Sequence, residues 1–161
     1  MATIKTWKDL EKALKQARDK ALEGTGEKAK ELVKDEIQKE VYDIPEGSYE
    51  RTHDLMNSLT DHELEVKGNT AQIEISHDWW EMSRDPSKFQ HASPYWSPWD
   101  YRRYIAETVH YGTSGSLFGS DDSLHWRQPK PYMDNAKDRL SKGEYKKFME
   151  DELKKLGYKV E

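Results

Sequence analysis

Apolar residues recur at helical spacing over the first part of the chain. Between Thr6 and about Val41 they follow one another at intervals of three and four among Lys, Glu and Asp side chains, which is typical of a helix with one apolar face. The positions are Trp7, Leu10, Leu14, Ala17 and Ala21, and then Ala29, Leu32, Val33, Ile37 and Val41. Because Gly24-Thr25-Gly26 separates the two runs, the pattern predicts two helices or one kinked helix.

A short helix is predicted after a turn that contains Pro45 and Gly47. Thr52 is placed to cap it, because a threonine at the N-cap accepts a hydrogen bond from a free backbone N–H group. The apolar residues of this helix are Leu55, Met56 and Leu59.

The period then shortens to two, as in a strand. Leu64 and Val66 alternate with charged residues, and the alternation resumes between residues 71 and 75. Gly68-Asn69 lies between the two runs and is suited to a tight connection. This stretch predicts an antiparallel hairpin with one buried face.

A C-terminal helix is predicted from Tyr132 to Leu156. Pro131 favours its start, Gly143 weakens its middle and Gly157 follows as a stop. Its apolar side carries Met133, Ala136, Leu140, Tyr145, Phe148, Met149 and Leu153.

The order of these elements predicts an α+β fold. The N-terminal helix or kinked helix pair and the C-terminal helix would pack on a small antiparallel sheet. Residues 104–112 fit a strand or a short buried helix, and residues 158–160 could add a short strand. The length of 161 residues predicts a single domain over residues 1–161.

Two stretches fit no regular element. Residues 78–100 contain three prolines and four tryptophans, which predicts an ordered, aromatic-rich excursion serving as a partner-binding surface or as a lid over the core. Residues 113–123 are rich in Gly, Ser and Asp and predict a flexible loop that becomes ordered against a partner. Candidate interface residues are Trp79, Trp80, Trp96, Trp99, Leu117 and Phe118.

The composition favours a subunit of an assembly. Apolar residues make up only 34% of the chain and charged residues 35%, with a mean hydropathy of −1.11, so the core is lean. Six Trp and nine Tyr add the large aromatic area that interfaces use. A net charge of −5 argues against a broad basic surface for nucleic acid. No apolar run has the length of a membrane span or a signal peptide.

Glu63, Glu65 and Lys67 are the one arrangement that suggests an enzyme. On a strand, alternation places the three side chains on one face, as in some metal-dependent nucleases, where carboxylates hold the ion and a lysine steadies the phosphate. The simpler interpretation is the solvated face of an amphipathic strand, since such triplets are common in a chain this charged.

Other catalytic signatures are missing from the sequence. The chain has no cysteine, which excludes disulfides and thiolate metal sites. The loop that begins at Gly112 lacks the lysine of a phosphate-binding loop. The histidines show no metal-binding spacing and are interpreted as structural: His53, His62, His77, His91, His110 and His125. We therefore expect no enzymatic activity, no metal and no cofactor.

Two motifs carry a resemblance to a known family. Residues 51–58, Arg-Thr-His-Asp-Leu-Met-Asn-Ser, resemble the Arg-Thr-Gly-x-Leu-x-x-Ser signature of the tail-completion (neck) proteins of long-tailed double-stranded-DNA phages. Residues 130–136 resemble that family's Arg-Pro-Phe-hydrophobic-x-x-Ala segment, and residues 104–113 resemble its Tyr-x-x-x-Val-Glu-x-Gly-Thr region more loosely. The chain departs from the pattern with His53 for Gly, Lys130 for Arg and Tyr132 for Phe. The matching positions are Arg51, Thr52, Leu55, Ser58, Glu107, Gly112, Thr113, Lys130, Pro131 and Tyr132.

The resemblance implies a structural subunit of the head-tail junction. Such a protein would form a homo-oligomeric ring, contact connector and tail proteins, and let DNA pass without sequence-specific binding. It would be part of the virion and would be assembled in the host cytoplasm. Two other classes stay open from the sequence alone: a metal-dependent nuclease, and a small intracellular adaptor whose Trp-rich segment binds a peptide or protein.

Overall fold

The contacts of the chain group into two compact units. The computed structural model describes residues 6–43, 53–61, 63–82, 106–107, 109–112 and 129–160. Unit 1 comprises Met1–Glu31, Asp61–Ile75 and Asp138–Glu161, and unit 2 comprises Leu32–Thr60 and Ser76–Lys137. Helices and two-stranded sheets make up the described residues, so the α+β prediction is confirmed. The single domain stays a prediction.

Helix α1 is continuous from Trp7 to Ile37. Its start is a reciprocal cap, because the Thr6 hydroxyl accepts from the Asp9 N–H at 3.1 Å while the Asp9 carboxylate accepts from the Thr6 N–H at 3.0 Å. A wider helical turn, Gln38–Tyr42, extends it. Of the two alternatives, two separate helices are therefore wrong, and a single helix runs through Gly24-Thr25-Gly26.

The two glycines of α1 serve close packing within unit 1. A Cβ atom on Gly24 would lie 2.6 Å from a Glu152 carboxylate oxygen, and one on Gly26 would lie 3.1 Å from Ile73 side-chain carbons. Thr25 between them is 1% exposed, and its hydroxyl donates to the carbonyl one turn earlier at 2.7 Å. The two glycines lower the helix propensity of this stretch. In return, they allow neighbouring segments to approach the helix.

The predicted hairpin is present in unit 1 but is short. Strand β2, Glu65–Lys67, pairs with β3, Thr70–Gln72, in an antiparallel register that sets Val66 opposite Ala71. The connection uses Gly68 at a φ of 62°, which glycine adopts without strain. Val66 is 47% exposed, so the buried face predicted for the first strand is wrong at this position.

A second pair of strands was not predicted as such. Strand β1, Leu59–Asp61, pairs with β4, Ile75–His77. Leu59 therefore begins a strand, whereas the sequence placed it on the preceding helix. That helix, α2, covers only Asp54–Asn57.

The N-cap of α2 is a residue in the left-handed conformation. The cap residue is His53, not the predicted Thr52, and its φ of 58° and ψ of 9° are left-handed. Glycine adopts this conformation most easily, and few other residues do so often. His53 therefore occupies a backbone conformation that glycine would adopt with less strain.

The C-terminal region contains two helices. Helix α3 spans Tyr132–Arg139 and α4 spans Tyr145–Lys155. A wide turn, Leu140–Glu144, joins them, and within it Gly143 has a φ of 121°. The weak point predicted at Gly143 is therefore a break in the helix.

Gly157 ends α4, as predicted. Its N–H donates to the Lys154 carbonyl at 2.9 Å, and the Tyr158 N–H donates to the Leu153 carbonyl at 3.0 Å. With Gly157 at a φ of 88°, these bonds form a Schellman motif. Residues 158–160 are not a strand, so that prediction is wrong.

Each unit has its own buried side chains. Unit 1 buries small residues of α1, and unit 2 buries larger ones from several segments. In unit 1 they are Ala17, Ala21, Leu22, Thr25 and Ala29. In unit 2 they include Leu32, Val33, Ile37, Leu55, Leu59, Met82, Val109, Tyr132 and Ala136.

Candidate functional site

Three separate segments of unit 2 meet at the buried side chain of Tyr132. Its hydroxyl lies 2.9 Å from Nε2 of His77 on β4. Nδ1 of His77 lies 2.8 Å from Oγ of Ser58, and that hydroxyl donates to the Leu55 carbonyl at 2.9 Å. Tyr132 and Ser58 are each 1% exposed. We call these three hydrogen bonds the Tyr132–His77–Ser58 chain.

Counting protons gives each bond its direction. Because the Ser58 hydroxyl donates its proton to a carbonyl, its oxygen accepts from the His77 ring, which places the proton on Nδ1. The bare Nε2 then accepts from the Tyr132 hydroxyl. With the imidazole neutral and protonated on Nδ1, every donor in the chain has an acceptor at 2.9 Å or less.

Burial reinforces this protonation state. Desolvation lowers the pKa of His77 from 6.5 to about 4, although a hydrogen bond to the Leu55 backbone favours the charged ring. Desolvation also raises the pKa of the Tyr132 hydroxyl, with a smaller contribution from Tyr42 and Tyr111. Both groups are therefore neutral near pH 7, as a buried polar network requires.

A second histidine, His110, also contacts the Tyr132 ring. His110 meets that ring edge-on with centroids 5.4 Å apart, and His77 does so at 5.8 Å. Nε2 of His110 lies 3.2 Å from a carboxylate oxygen of Asp134, which is in the first turn of α3. Its Nδ1 is buried without a hydrogen-bond partner in the described part of the chain.

Backbone contacts fix the start of α3. The Lys130 N–H donates to the carbonyls of Val109 and His110 at 3.0 and 3.2 Å. Pro131 has no N–H group that would need a partner. Its carbonyl accepts the first helical hydrogen bond, from the Asn135 N–H, at 2.9 Å. The Lys-Pro-Tyr motif thus sets the direction in which α3 leaves the 106–112 segment.

The structure brings three of the motif residues together and sets others apart. Leu55 is 5% exposed and joins Ser58 and Tyr132 in the interior of unit 2. Glu107 is exposed, and Gly112 has a φ of 71°. Any part that the three buried residues play in assembly must act through the fold of unit 2.

Much of the predicted interface falls outside the described residues. Trp79 and Trp80 are described, and their rings stack with centroids 4.2 Å apart. Trp80 is 46% exposed. The predictions that lie outside the described ranges are those for Arg51, Thr52, Thr113, Trp96, Trp99, Leu117 and Phe118.

His77 is the residue that sequence reasoning missed as a member of the site. It was interpreted as structural without partners, because Ser58 and Tyr132 are 19 and 55 positions away along the chain. The available signal was its position two residues after Ile75, which places both side chains on one face of a strand.

The nuclease candidate residues lie on the hairpin surface. Nζ of Lys67 pairs with one carboxylate oxygen of Glu65 at 2.7 Å, and the Gln72 amide donates to the other at 2.7 Å. These side chains and Thr70 line a cavity of about 240 Å³, and Glu63 lies before the strand. Within the described ranges, no group of three or more His, Cys, Asp or Glu is arranged to hold a metal ion.

One comparison with known proteins gives a match. The family model for YomN matches residues 6–155, which include both motifs and the whole Tyr132–His77–Ser58 chain. The chain belongs to the YomN family. As a YomN protein it is associated with a phage or prophage. No curated protein and no solved structure shows a significant match, and none of the described helices is long and apolar enough to cross a membrane.

Proposed function

We propose that this YomN protein is a non-enzymatic structural subunit of the phage head-tail junction, a tail-completion or neck protein that assembles into a ring. Family membership supports the association with a phage. The resemblance at residues 51–58 and 130–136 supports the more specific role. Its partners would be further copies of itself and the neighbouring connector and tail proteins.

The exposed start of α1 is the observation that carries the proposal. The helix face that unit 1 buries at Ala17 and Ala21 continues to Leu14 and Trp7, which are 52% and 82% exposed. A tryptophan and a leucine on one exposed helix face are costly to keep in water and are typical of surfaces that another protein covers.

The distribution of charge fits passage of DNA without tight binding. Acidic and basic side chains balance in the residues of unit 1, so the net charge of −5 belongs to unit 2. An acidic surface repels the phosphate backbone. A subunit of this kind can border a DNA path without holding the DNA.

A double variant of the exposed face tests the proposal. We expect Trp7→Gln with Leu14→Gln to leave the monomer folded, because both side chains are exposed, and to reduce ring formation and the yield of joined particles. Sedimentation and a head-tail joining assay measure these effects. Val66→Gln, which changes another exposed apolar residue of unit 1, serves as the matched control and should assemble normally.

Two results would contradict the proposal. One is normal assembly and joining by the double variant. The other is cleavage of plasmid DNA by the purified wild type with magnesium or manganese, lost in Glu65→Ala, which would favour the nuclease instead.

A further inference from the structure

The hydroxyl of Tyr132 has two acceptors within reach. Nε2 of His77 lies 2.9 Å away, and the carbonyl of Ala106 lies 3.5 Å away. The first distance is that of a good hydrogen bond and the second is at the limit of a weak one. The hydroxyl therefore donates to His77 while that nitrogen is bare.

A proton on Nε2 of His77 would reverse this bond. The ring nitrogen would become a donor, so the Tyr132 oxygen would have to accept and its own proton would have to turn to the Ala106 carbonyl. A hydrogen bond between His77 and Tyr132 would remain with its direction reversed, and the Tyr132 proton would be left with the weak acceptor at 3.5 Å, the Ala106 carbonyl.

The groups that face the His77 ring are uncharged and compensate a positive charge only in part, through the Leu55 backbone. In α2 and at its end, these groups are the Leu55 carbonyl and the Ser58 hydroxyl. In α3, the group is the Tyr132 hydroxyl. The carboxylate of Asp78, the residue that follows β4, accepts from the Trp80 N–H at 2.9 Å. Within the described chain, no carboxylate pairs with His77, and a charge at this half-buried position is costly without a partner.

His110, which contacts the Tyr132 ring, pairs with Asp134. Nε2 of His110 bonds to Asp134, whose side chain is 70% exposed, and this pair faces the ring of Tyr132 instead of His77. The Asp134 carboxylate therefore interacts with His110 and with solvent. Within the Tyr132–His77–Ser58 chain, His77 is the group whose protonation reverses the direction of a hydrogen bond.

We propose that the Tyr132–His77–Ser58 chain is a proton-operated latch inside unit 2. When the His77 ring is neutral, the latch is closed, because the hydrogen bonds of the ring join α2, β4 and the start of α3. The protonated ring reverses its bond to Tyr132, leaves the Tyr132 proton only the weak acceptor at Ala106 and places a positive charge among neutral groups, so acid destabilises the arrangement of α2, β4 and the start of α3. This device is independent of the head-tail role and is measured on the purified full chain.

Nitrogen chemical shifts of the histidine rings test the latch in the wild-type protein. At pH 7 we expect His77 to be neutral with its proton on Nδ1. On acidification it should gain a proton near pH 4, together with a change in the Tyr132 ring signals. A proton on Nε2 at pH 7, or titration of His77 at its ordinary value of 6.5, would overturn the proposal.

Urea unfolding at pH 6.5 and 4.5 provides a second test. The unfolded state binds a proton at His77 below pH 6.5 and the folded state does not, so stability falls as the pH falls towards 4. We expect the folding equilibrium of the wild type to drop roughly 30-fold more than that of His77→Gln.

A second histidine variant separates the latch from a general effect of acid. His53→Asn changes an exposed histidine of unit 2 at a left-handed position that asparagine tolerates, and it should behave as the wild type. Equal losses in all three proteins would overturn the latch. If His77→Gln does not fold, the wild-type titration decides.

Discussion

The two units are stabilised by different kinds of contact. In unit 1, small residues of α1 let neighbouring segments approach closely, as at Gly24 and Gly26. In unit 2, separate segments are joined by buried hydrogen bonds that pass through His77 and Tyr132. Unit 1 should therefore be sensitive to added volume, and unit 2 to the loss of a polar partner.

The largest expected effect is in unit 2. Tyr132→Ala removes a side chain that is 1% exposed and should lower the free energy of unfolding by about 3–5 kcal/mol. Tyr132→Phe keeps the ring but leaves Nε2 of His77 without a donor, which should cost about 1–2 kcal/mol. Urea unfolding measures both changes. If the two variants lost equal stability, the hydroxyl and not the buried ring would carry the contribution.

The matching test in unit 1 adds volume. Gly26→Val should lower the free energy of unfolding by about 1–3 kcal/mol, because even a Cβ atom there would lie 3.1 Å from Ile73. Gln16→Val is the control for helix propensity, since Gln16 is exposed on the same helix. A Gly26→Val protein as stable as the control would show that unit 1 is not sensitive to volume at this site.

A backbone test at Gly143 involves neither kind of contact. A Cβ atom there would meet nothing within 4 Å, so Gly143→Ala changes only the backbone energy at a φ of 121°. We expect a loss of about 1 kcal/mol, measured by thermal unfolding. If alanine stabilised the protein, the break between α3 and α4 would not need this φ.

The smallest effect is expected at the ion pairs of Glu152 in unit 1. Hydrogen bonds from Lys155 and Lys28 hold the pKa of this carboxyl below its ordinary 4.5, so its contribution to stability is present above that pH and is lost as the pH falls below it. Below pH 4.5, unit 1 should lose less stability on acidification in Glu152→Gln than in the wild type. We expect this difference to be smaller than the one that His77→Gln produces in unit 2. Glu150→Gln is the control, because its lysine contacts are longer, at 3.7 and 4.0 Å. An equal effect of both variants would contradict the role of Glu152.

Local patterns predicted the elements that depend on local sequence. Helical spacing gave α1, alternation gave the β2–β3 hairpin, and Gly157 gave the end of α4. Each of these signals lies within a few neighbouring residues, as does the propensity that produces it.

Features that depend on contacts distant in sequence were missed. A three-residue strand such as Leu59–Asp61 is too short to show a period. Gly24 and Gly26 look the same in sequence whether they break a helix or let another segment approach it. The role of His77 could not be predicted because Ser58 and Tyr132 reach it only in the folded chain.

The proposed place of this YomN protein is the head-tail junction of the phage particle. Antibody labelling of purified particles in the electron microscope, combined with quantitative mass spectrometry, can locate and count it there. We expect label at the junction and a fixed number of copies per particle. Purified particles that contain none of the protein, while infected cells contain it in abundance, would contradict the claim.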